Sequence, residues 1–273
     1  LTAALRRPAY EVIPLDGVEE AVAGLPRGVR LTVTASPSRG VERTIDVAVT
    51  LAGLGYRVTP HLSARLVADH NHLAELTERL TGAGLRDVFV VGGDAREPVG
   101  KFDGALDLLV ALDQLGMPFD EVGIAGYPEA HPLIADDVIV QAMWDKRVYA
   151  SYIVSQMCFD PDAVRAWVRR VRRRGVRLPI EIGVPGSAAL PRLLRVSAKI
   201  GVGESARFLR GHRGLLRSFA GPRTFRPERL LAGLGSLLAD PVADVRGLHF
   251  YTFNEVARTQ EWRRGMLAGV AAA

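Results

Sequence analysis

A series of polar residues stands at the ends of short apolar, β-branched runs along this chain. They are Glu11, Thr34, His61 with Ser63, Asp94 after Gly92-Gly93, Tyr127 and His131 flanking Pro128-Glu129-Ala130, Gln156, and the closing stretch His249-Phe250-Tyr251-Thr252-Phe253-Asn254. Carboxylates and imidazoles can hold or move protons, while hydroxyls and amides make directional hydrogen bonds. Any one of these residues could instead cap a helix or sit satisfied in the interior. Their recurrence at nearly every run points to one shared site. Two other signals are weaker. Gly201-Val202-Gly203 with Ala206 imitates a dinucleotide fingerprint, but that motif must leave a strand and this one follows helical periodicity. His70 and His72 imitate a metal pair, but residues two apart on a helix point to different sides and no third ligand is suitably spaced, so no metal is expected.

The elements that must position these residues can be read from periodicity. Candidate strands are Tyr10–Pro14, Arg30–Ala35, Arg57–Ser63, Asp87–Gly92, Glu121–Gly126, Ser151–Gln156, Pro179–Val184 and Gly247–Phe253. Helical spacing fills the intervals at Val18–Leu25, Val41–Leu54, His70–Ala83, Phe102–Leu115, Asp136–Tyr149, Pro161–Arg174, Ala188–Ile200, Glu204–Phe219 and Pro227–Leu238. Ser36 to Arg39 and Asp160-Pro161 read as helix starts, and Gly55, Gly84, Gly116 and Gly175 as helix ends. Eight alternations predict an α/β fold, a single (β/α)8 TIM barrel spanning residues 1–273, with an open doubly wound sheet as the competing architecture. In such barrels the carboxyl ends of the strands carry the chemistry. The Ala-rich end, Gly269–Ala273, is expected to fray.

Composition narrows the class. Of 273 residues, 48% are hydrophobic and 24% charged, which supplies a full core and excludes an intrinsically disordered chain. Cys158 is the one cysteine, so an intramolecular disulfide framework is impossible and a reducing cytoplasm is the expected setting. No window approaches 18 uninterrupted apolar residues and no apolar stretch follows Arg6-Arg7, so neither a membrane span nor a signal peptide is expected. The net charge of +5 is mostly arginine, since only Lys101, Lys146 and Lys199 are lysines. Its densest run lies between Arg165 and Arg177. Val164, Trp167, Val168 and Val171 recur there at helical spacing, and no aromatics alternate with the arginines as a base-stacking platform would need. That run reads as the solvated face of a helix, and no nucleic-acid partner is expected. Oligomeric state is not encoded in any pattern recognised in the chain.

Taken in order, Tyr10-Glu11-Val12-Ile13-Pro14, Val33-Thr34-Ala35, Thr59-Pro60-His61-Leu62-Ser63, Val91-Gly92-Gly93-Asp94, Ala125-Gly126-Tyr127-Pro128-Glu129-Ala130-His131-Pro132, Ser155-Gln156 and His249 to Asn254 resemble the methylenetetrahydrofolate reductases. The resemblance implies a (β/α)8 barrel that reduces 5,10-methylenetetrahydrofolate to 5-methyltetrahydrofolate, with NADH or NADPH as reductant and, normally, FAD as carrier. It implies that Glu11 is the general acid toward N10. Desolvation of that carboxyl by Tyr10, Val12, Ile13 and Pro14 is one way it could hold a proton. By the same resemblance Asp94 binds the pterin and stabilises its developing charge, and Gln156 recognises the pterin edge. Thr34, His61, Tyr127 and His131 would line the flavin or nicotinamide side.

Departures from the family pattern fall mainly on the flavin side. Gly92 stands where an arginine commonly helps hold FAD, Val138, Ile139 and Val140 stand where polar flavin partners are usual, and Leu190 stands near the position of a substrate-stacking aromatic. A short, divergent reductase is therefore expected, with tight FAD binding in question and hydride passing directly from the nicotinamide. A flavin-free tetrahydrofolate-dependent methyltransferase or demethylase on the same barrel is the alternative. A non-catalytic folate-binding module is a further one, against which Glu11 argues.

Overall fold

The computed structural model describes residues 1–129, 136–189, 193 and 224–271. Eight parallel strands close into a barrel. They are β1 (Ala9–Val12), β2 (Arg30–Val33), β3 (Arg57–Ser63), β4 (Asp87–Val91), β5 (Glu121–Gly126), β6 (Tyr152–Ser155), β7 (Ile180–Pro185) and β10 (Val245–Tyr251), with β10 pairing both β7 and β1 to close the ring. The intervening helices include α2 (Val18–Val22), α3 (Gly40–Gly53), α4 (His70–Gly82), α5 (Ala105–Gln114), α6 (Asp136–Lys146) and α7 (Pro161–Arg173). This is a (β/α)8 TIM barrel. No described helix is long and apolar enough to cross a membrane.

Alternation along each strand sorts the side chains into two sets. Tyr10, Val12, Leu31, Val33, Ile180, Ile182, Val184, Leu248 and Phe250 face outward into one continuous core with the helices, where they are buried together with Ile45, Leu73, Leu108 and Trp167. Glu11, Glu181, His249 and Tyr251, each one position along from members of that set, face the barrel interior. The expected helix ends hold: Gly55, Gly84, Gly116 and Gly175 all take the positive φ that stops a helix at little cost to glycine. Asp160 caps α7 by accepting from Asp162 N–H at 2.8 Å, and Asp69 caps α4 by accepting from His72 N–H at 2.9 Å.

Four details depart from the sequence reading. Ala188–Ala189 is not the start of a helix but a short strand, β8, paired antiparallel with β9 (Thr224–Phe225) and anchored where Ala189 N–H donates to Glu255. The segment from Pro227 to Leu238 is two short helices, Glu228–Gly233 and Gly235–Ala239, rather than one. Two helices were not expected from the sequence, one at Val256–Ala271 and a five-residue one, Thr2–Arg6, which precedes β1. Finally, the arginine run is not uniformly solvated. Arg172 is buried, donating to the carbonyls of Val176, Leu178 and Ala243 at 2.7 to 3.1 Å and tying α7 to the loops that enter β7 and β10. Arg169, Arg173 and Arg174 are exposed as expected. His131, Leu190, the Gly201 to Ala206 string and the segment Glu204–Phe219 lie outside the described residues, as does most of Ala188–Ile200.

Candidate active site

Two tiers of polar side chains fill the barrel. In the lower tier Glu181, 1% exposed, pairs through Oε1 with Arg30 at 2.7 Å and Arg246 at 3.0 Å. Arg246 also meets Glu121 at 3.0 Å and lies over the Tyr152 ring. Asp87 accepts from the hydroxyls of Tyr152 at 2.8 Å and Thr59 at 2.9 Å. Burial alone would raise the Glu181 carboxyl, but the two guanidiniums outweigh it and hold it below the ordinary value, so it stays ionised. Asp87 has no such paired cation, and burial pushes it up to about 6.

The upper tier lies at the carboxyl ends of the strands. Glu11 Oε2 is 3.3 Å from His249 Nε2 and 3.9 Å from His61 Nε2. Residues adjacent to Glu11 do not flank it, contrary to expectation, because Tyr10 and Val12 point to the opposite face of β1 into the outer core. Its surroundings come from other strands: His249 and Tyr251 of β10 and His61 of β3. The backbone of Glu11 is held by Thr252, whose hydroxyl donates to its carbonyl. Asn254, with φ of 62°, clasps Ile13 in both directions, accepting from its N–H at 2.8 Å and donating to its carbonyl at 3.0 Å. The closing sequence motif thus divides its labour. His249 and Tyr251 face the interior, Phe250 faces the core, and Thr252 and Asn254 fix the strand end that carries Glu11.

His61 packs against Phe89 with ring centroids 4.7 Å apart, and its Nε2 is buried without a hydrogen-bond partner among the described residues. Burial, aided by repulsion from His249, lowers it to about 3, so it is neutral at physiological pH and puts no cation beside Glu11. On the far side of the site Tyr251 donates to Ser155 O at 3.2 Å. Burial first, then the nearby charge of Glu11 and the Tyr127 phenol, keep Tyr251 protonated. Tyr127 is likewise raised, by burial and then by Asp94, which draws β4 and β5 ends into the same neighbourhood.

Asp94 is exposed at the mouth, on a turn that only glycine can make. Gly93 has φ of +96° and a Cβ there would lie 1.9 Å from Ser63 Oγ. Arg65 secures that loop by donating to the carbonyls of Ala95, Arg96 and Asp103. Gln156 uses its Oε1 to accept from Met157 N–H at 2.8 Å, which leaves its Nε2 donors for other partners. Thr34 is fixed through its backbone, with its N–H on Val12 O and its carbonyl accepting from Thr44. The structure therefore gathers Glu11, His61 and Tyr127 around Tyr251 and His249, sets Asp94 beside Tyr127, and seats Gln156 and Thr34 on neighbouring strand ends.

His249 and Glu181 form an interior pair to which sequence reasoning gave no role. His249 Nδ1 is buried without a hydrogen bond among the described residues and lies 3.9 Å from Glu181 Oε2, itself without one among them. The signal for Glu181 was a lone acid in the apolar alternation Ile180-Glu181-Ile182-Gly183-Val184.

A flavin dinucleotide makes definite demands on such a site. Its pyrophosphate needs guanidinium, ammonium or amide donors near the strand ends. Gly92 has none and Arg65 is committed to three loop carbonyls, while Arg96 and Lys101 stand exposed on the same loop after β4. Helix α6 presents Val138, 54% exposed, with Lys146 at its far end, and the following Arg147 stacks on Trp144, at the opposite end of the barrel from the strand termini. No three His, Cys, Asp or Glu among the described residues converge as metal ligands.

The methylenetetrahydrofolate reductase family matches residues 15–200, and the chain belongs to that family. It is 26% identical over 174 residues to methylenetetrahydrofolate reductase 2 of Saccharomyces cerevisiae, covering 59% of this chain and 29% of that protein. Over 137 residues it is 30% identical to methylenetetrahydrofolate reductase 1 of Schizosaccharomyces pombe, covering 49% of this chain and 22% of that one. The chain thus matches less than a third of the length of these curated relatives. Among solved structures, a GH18 chitinase from Pseudoalteromonas aurantia aligns over 94% of this chain and 98% of its own at 10% identity and a TM-score of 0.48, a likeness that carries no argument.

Proposed function

We propose that this chain, acting as a single barrel domain over residues 1–273, is an oxidoreductase that reduces 5,10-methylenetetrahydrofolate to 5-methyltetrahydrofolate. The observation that carries this reading is Glu11 at the carboxyl end of β1, inside the barrel mouth, with His249 at 3.3 Å. Glu11 gives its proton to N10 of the folate, the bond from that nitrogen to the one-carbon unit breaks, and the unit remains on N5 as an iminium. A nicotinamide cofactor, NADH or NADPH, supplies the hydride that reduces that carbon to a methyl group. Asp94 and the free Nε2 of Gln156 bind the pterin ring. Thr34, His61 and Tyr127 line the space beside it.

His249 is the positioning residue for the acid. Ionised Glu181 favours the tautomer that carries its proton on Nδ1, which leaves Nε2 as an acceptor facing Glu11. A proton held by Glu11 then has a partner until the substrate nitrogen takes it. The residues at Gly92 and at Val138, Ile139 and Val140 lead the reading to pass hydride to the folate without FAD. Glu11→Gln tests it: folate binding should persist while NAD(P)H-dependent turnover falls by roughly 10²-fold or more, the range for loss of acid catalysis. Turnover near the wild-type value would remove Glu11 from the mechanism, and turnover that requires added, stoichiometrically bound FAD would overturn the direct transfer.

A further inference from the structure

At the opposite end of the barrel, where β1, β2 and β3 begin, a cavity of about 330 Å³ is lined by Arg6, Arg7, Arg27, Arg30, Arg57 and Arg263, with Pro8, Tyr10, Gly28 and Val29 between them. No Asp or Glu lines it. Two of the arginines are already engaged. Arg30 is the partner of Glu181 at the barrel axis, and Arg263 is held by the carbonyls of Leu5 and Arg6 and by the Gln260 side chain. Arg6, Arg7, Arg27 and Arg57 are exposed and make no ion pair among the described residues. Several other surface arginines are paired, Arg39 and Arg43 sharing Asp16, Arg79 meeting Asp46 and Arg165 meeting Asp162, while Arg169 and Arg173 on α7 and Arg174 just after it make no ion pair among the described residues.

Four uncompensated guanidiniums around one concavity repel one another, and a cleft concentrates their potential. The arrangement is stable when a multivalent anion supplies the missing charge. We propose that this cavity is a binding site for a compact oligophosphate, the chemistry shared by inorganic polyphosphate and the phosphate tail of a nucleotide. The guanidinium fork matches phosphate oxygens two at a time, which a set of arginines without lysine exploits. The cavity volume accommodates two or three linked phosphates and is too small and concave for a flat polymer surface. The inference goes beyond the reductase reading and does not depend on it, because the site lies at the strand amino ends, away from Glu11.

The test is calorimetric titration of the chain with tripolyphosphate and, separately, with ADP. Stoichiometric binding of either, weakened by salt, is the expected result. Tighter binding of ADP would identify a nucleotide as the form recognised, and equal or weaker binding of ADP the inorganic anion. Arg27→Gln with Arg57→Gln should weaken the tighter ligand at least tenfold, whereas Arg169→Gln with Arg173→Gln on α7 should leave it unchanged. Should the first pair fail to fold by circular dichroism, Arg7→Gln takes its place. Absence of stoichiometric binding by both probes, or equal losses in the cavity and α7 variants, would overturn the proposal and leave only diffuse surface charge.

Discussion

The two tiers inside the barrel, carboxylates with arginines below and a carboxylate with imidazoles above, differ in how completely they are paired. Below, Glu181 Oε1 carries two guanidiniums, Arg246 bridges to Glu121, and Asp87 is met by two hydroxyls. Above, His61 Nε2 and His249 Nδ1 are buried and unbonded among the described residues, and Glu11 has one imidazole at 3.3 Å. A buried polar group left without a partner costs roughly 1–3 kcal/mol, so the upper tier is the less stable arrangement. That difference separates structure from chemistry. Satisfied groups hold the barrel shut, while unsatisfied ones are available to a substrate. Glu181 joins the two, with Oε1 committed below and Oε2 turned toward His249.

The strongest way to break the comparison is Glu181→Gln. It preserves volume but leaves Arg30 and Arg246 facing each other without their counter-charge. Breaking a buried pair from one side costs about 3–5 kcal/mol. Urea unfolding should register that loss, and a change below about 1 kcal/mol would mean the lower tier is not what closes the barrel. Next in size is His249→Gln. If it positions the acid as proposed, kcat should fall about tenfold, less than the 10²-fold or more expected on losing the acid itself, with KM little changed and the acid limb of the pH profile displaced. A uniform loss at all pH values would assign His249 a packing role only.

A third variant, His61→Gln, sharpens the upper tier through pH. His61 is lowered from 6.5 to about 3, so between those values the unfolded chain binds a proton that the folded chain refuses. Stability from this group is full above pH 6.5 and is lost as pH falls toward 3. Asp87, raised from 3.8 to about 6, acts in the opposite sense, favouring the folded chain as pH falls through that interval. The variant should therefore lose less stability than wild type between pH 6.5 and 4. An unchanged profile would mean His61 is not held neutral by its burial.

Much of the barrel was legible because strand alternation and helix-ending glycines are local signals. β3 at Arg57–Ser63 and β5 at Glu121–Gly126 have the bounds expected from sequence. The helix Val256–Ala271 was not legible, since Arg258, Gln260, Glu261, Arg263 and Arg264 interrupt its apolar spacing and its burial depends on packing of Trp262, Met266 and Leu267 against the core. The strand-end residues of the site were legible as a set. Their pairing was not. Glu11 meets His249 across 238 positions, and only the closure of β1 on β10, with Ala9 opposite His249, determines which side chains become neighbours.

The smallest expected effect concerns α7, where neighbouring arginines divide between structure and solvent. Arg172 spends its guanidinium on the carbonyls of Val176, Leu178 and Ala243 and belongs with the satisfied groups. Arg169, Arg173 and Arg174 are exposed and make no ion pair among the described residues. Barrel helices run opposite to the strands, so the last turn of α7 lies away from the mouth that holds Glu11. Surface substitutions away from buried networks usually change stability by no more than about 0.5 kcal/mol. Replacing Arg169, Arg173 and Arg174 together by Gln should therefore leave stability within that range and the folate KM within about twofold, with solubility the property that moves. A marked rise in KM confined to polyglutamylated folate would show instead that the exposed arginines reach the substrate tail, and the division between paired and unpaired cations would then have to extend to this face of the barrel.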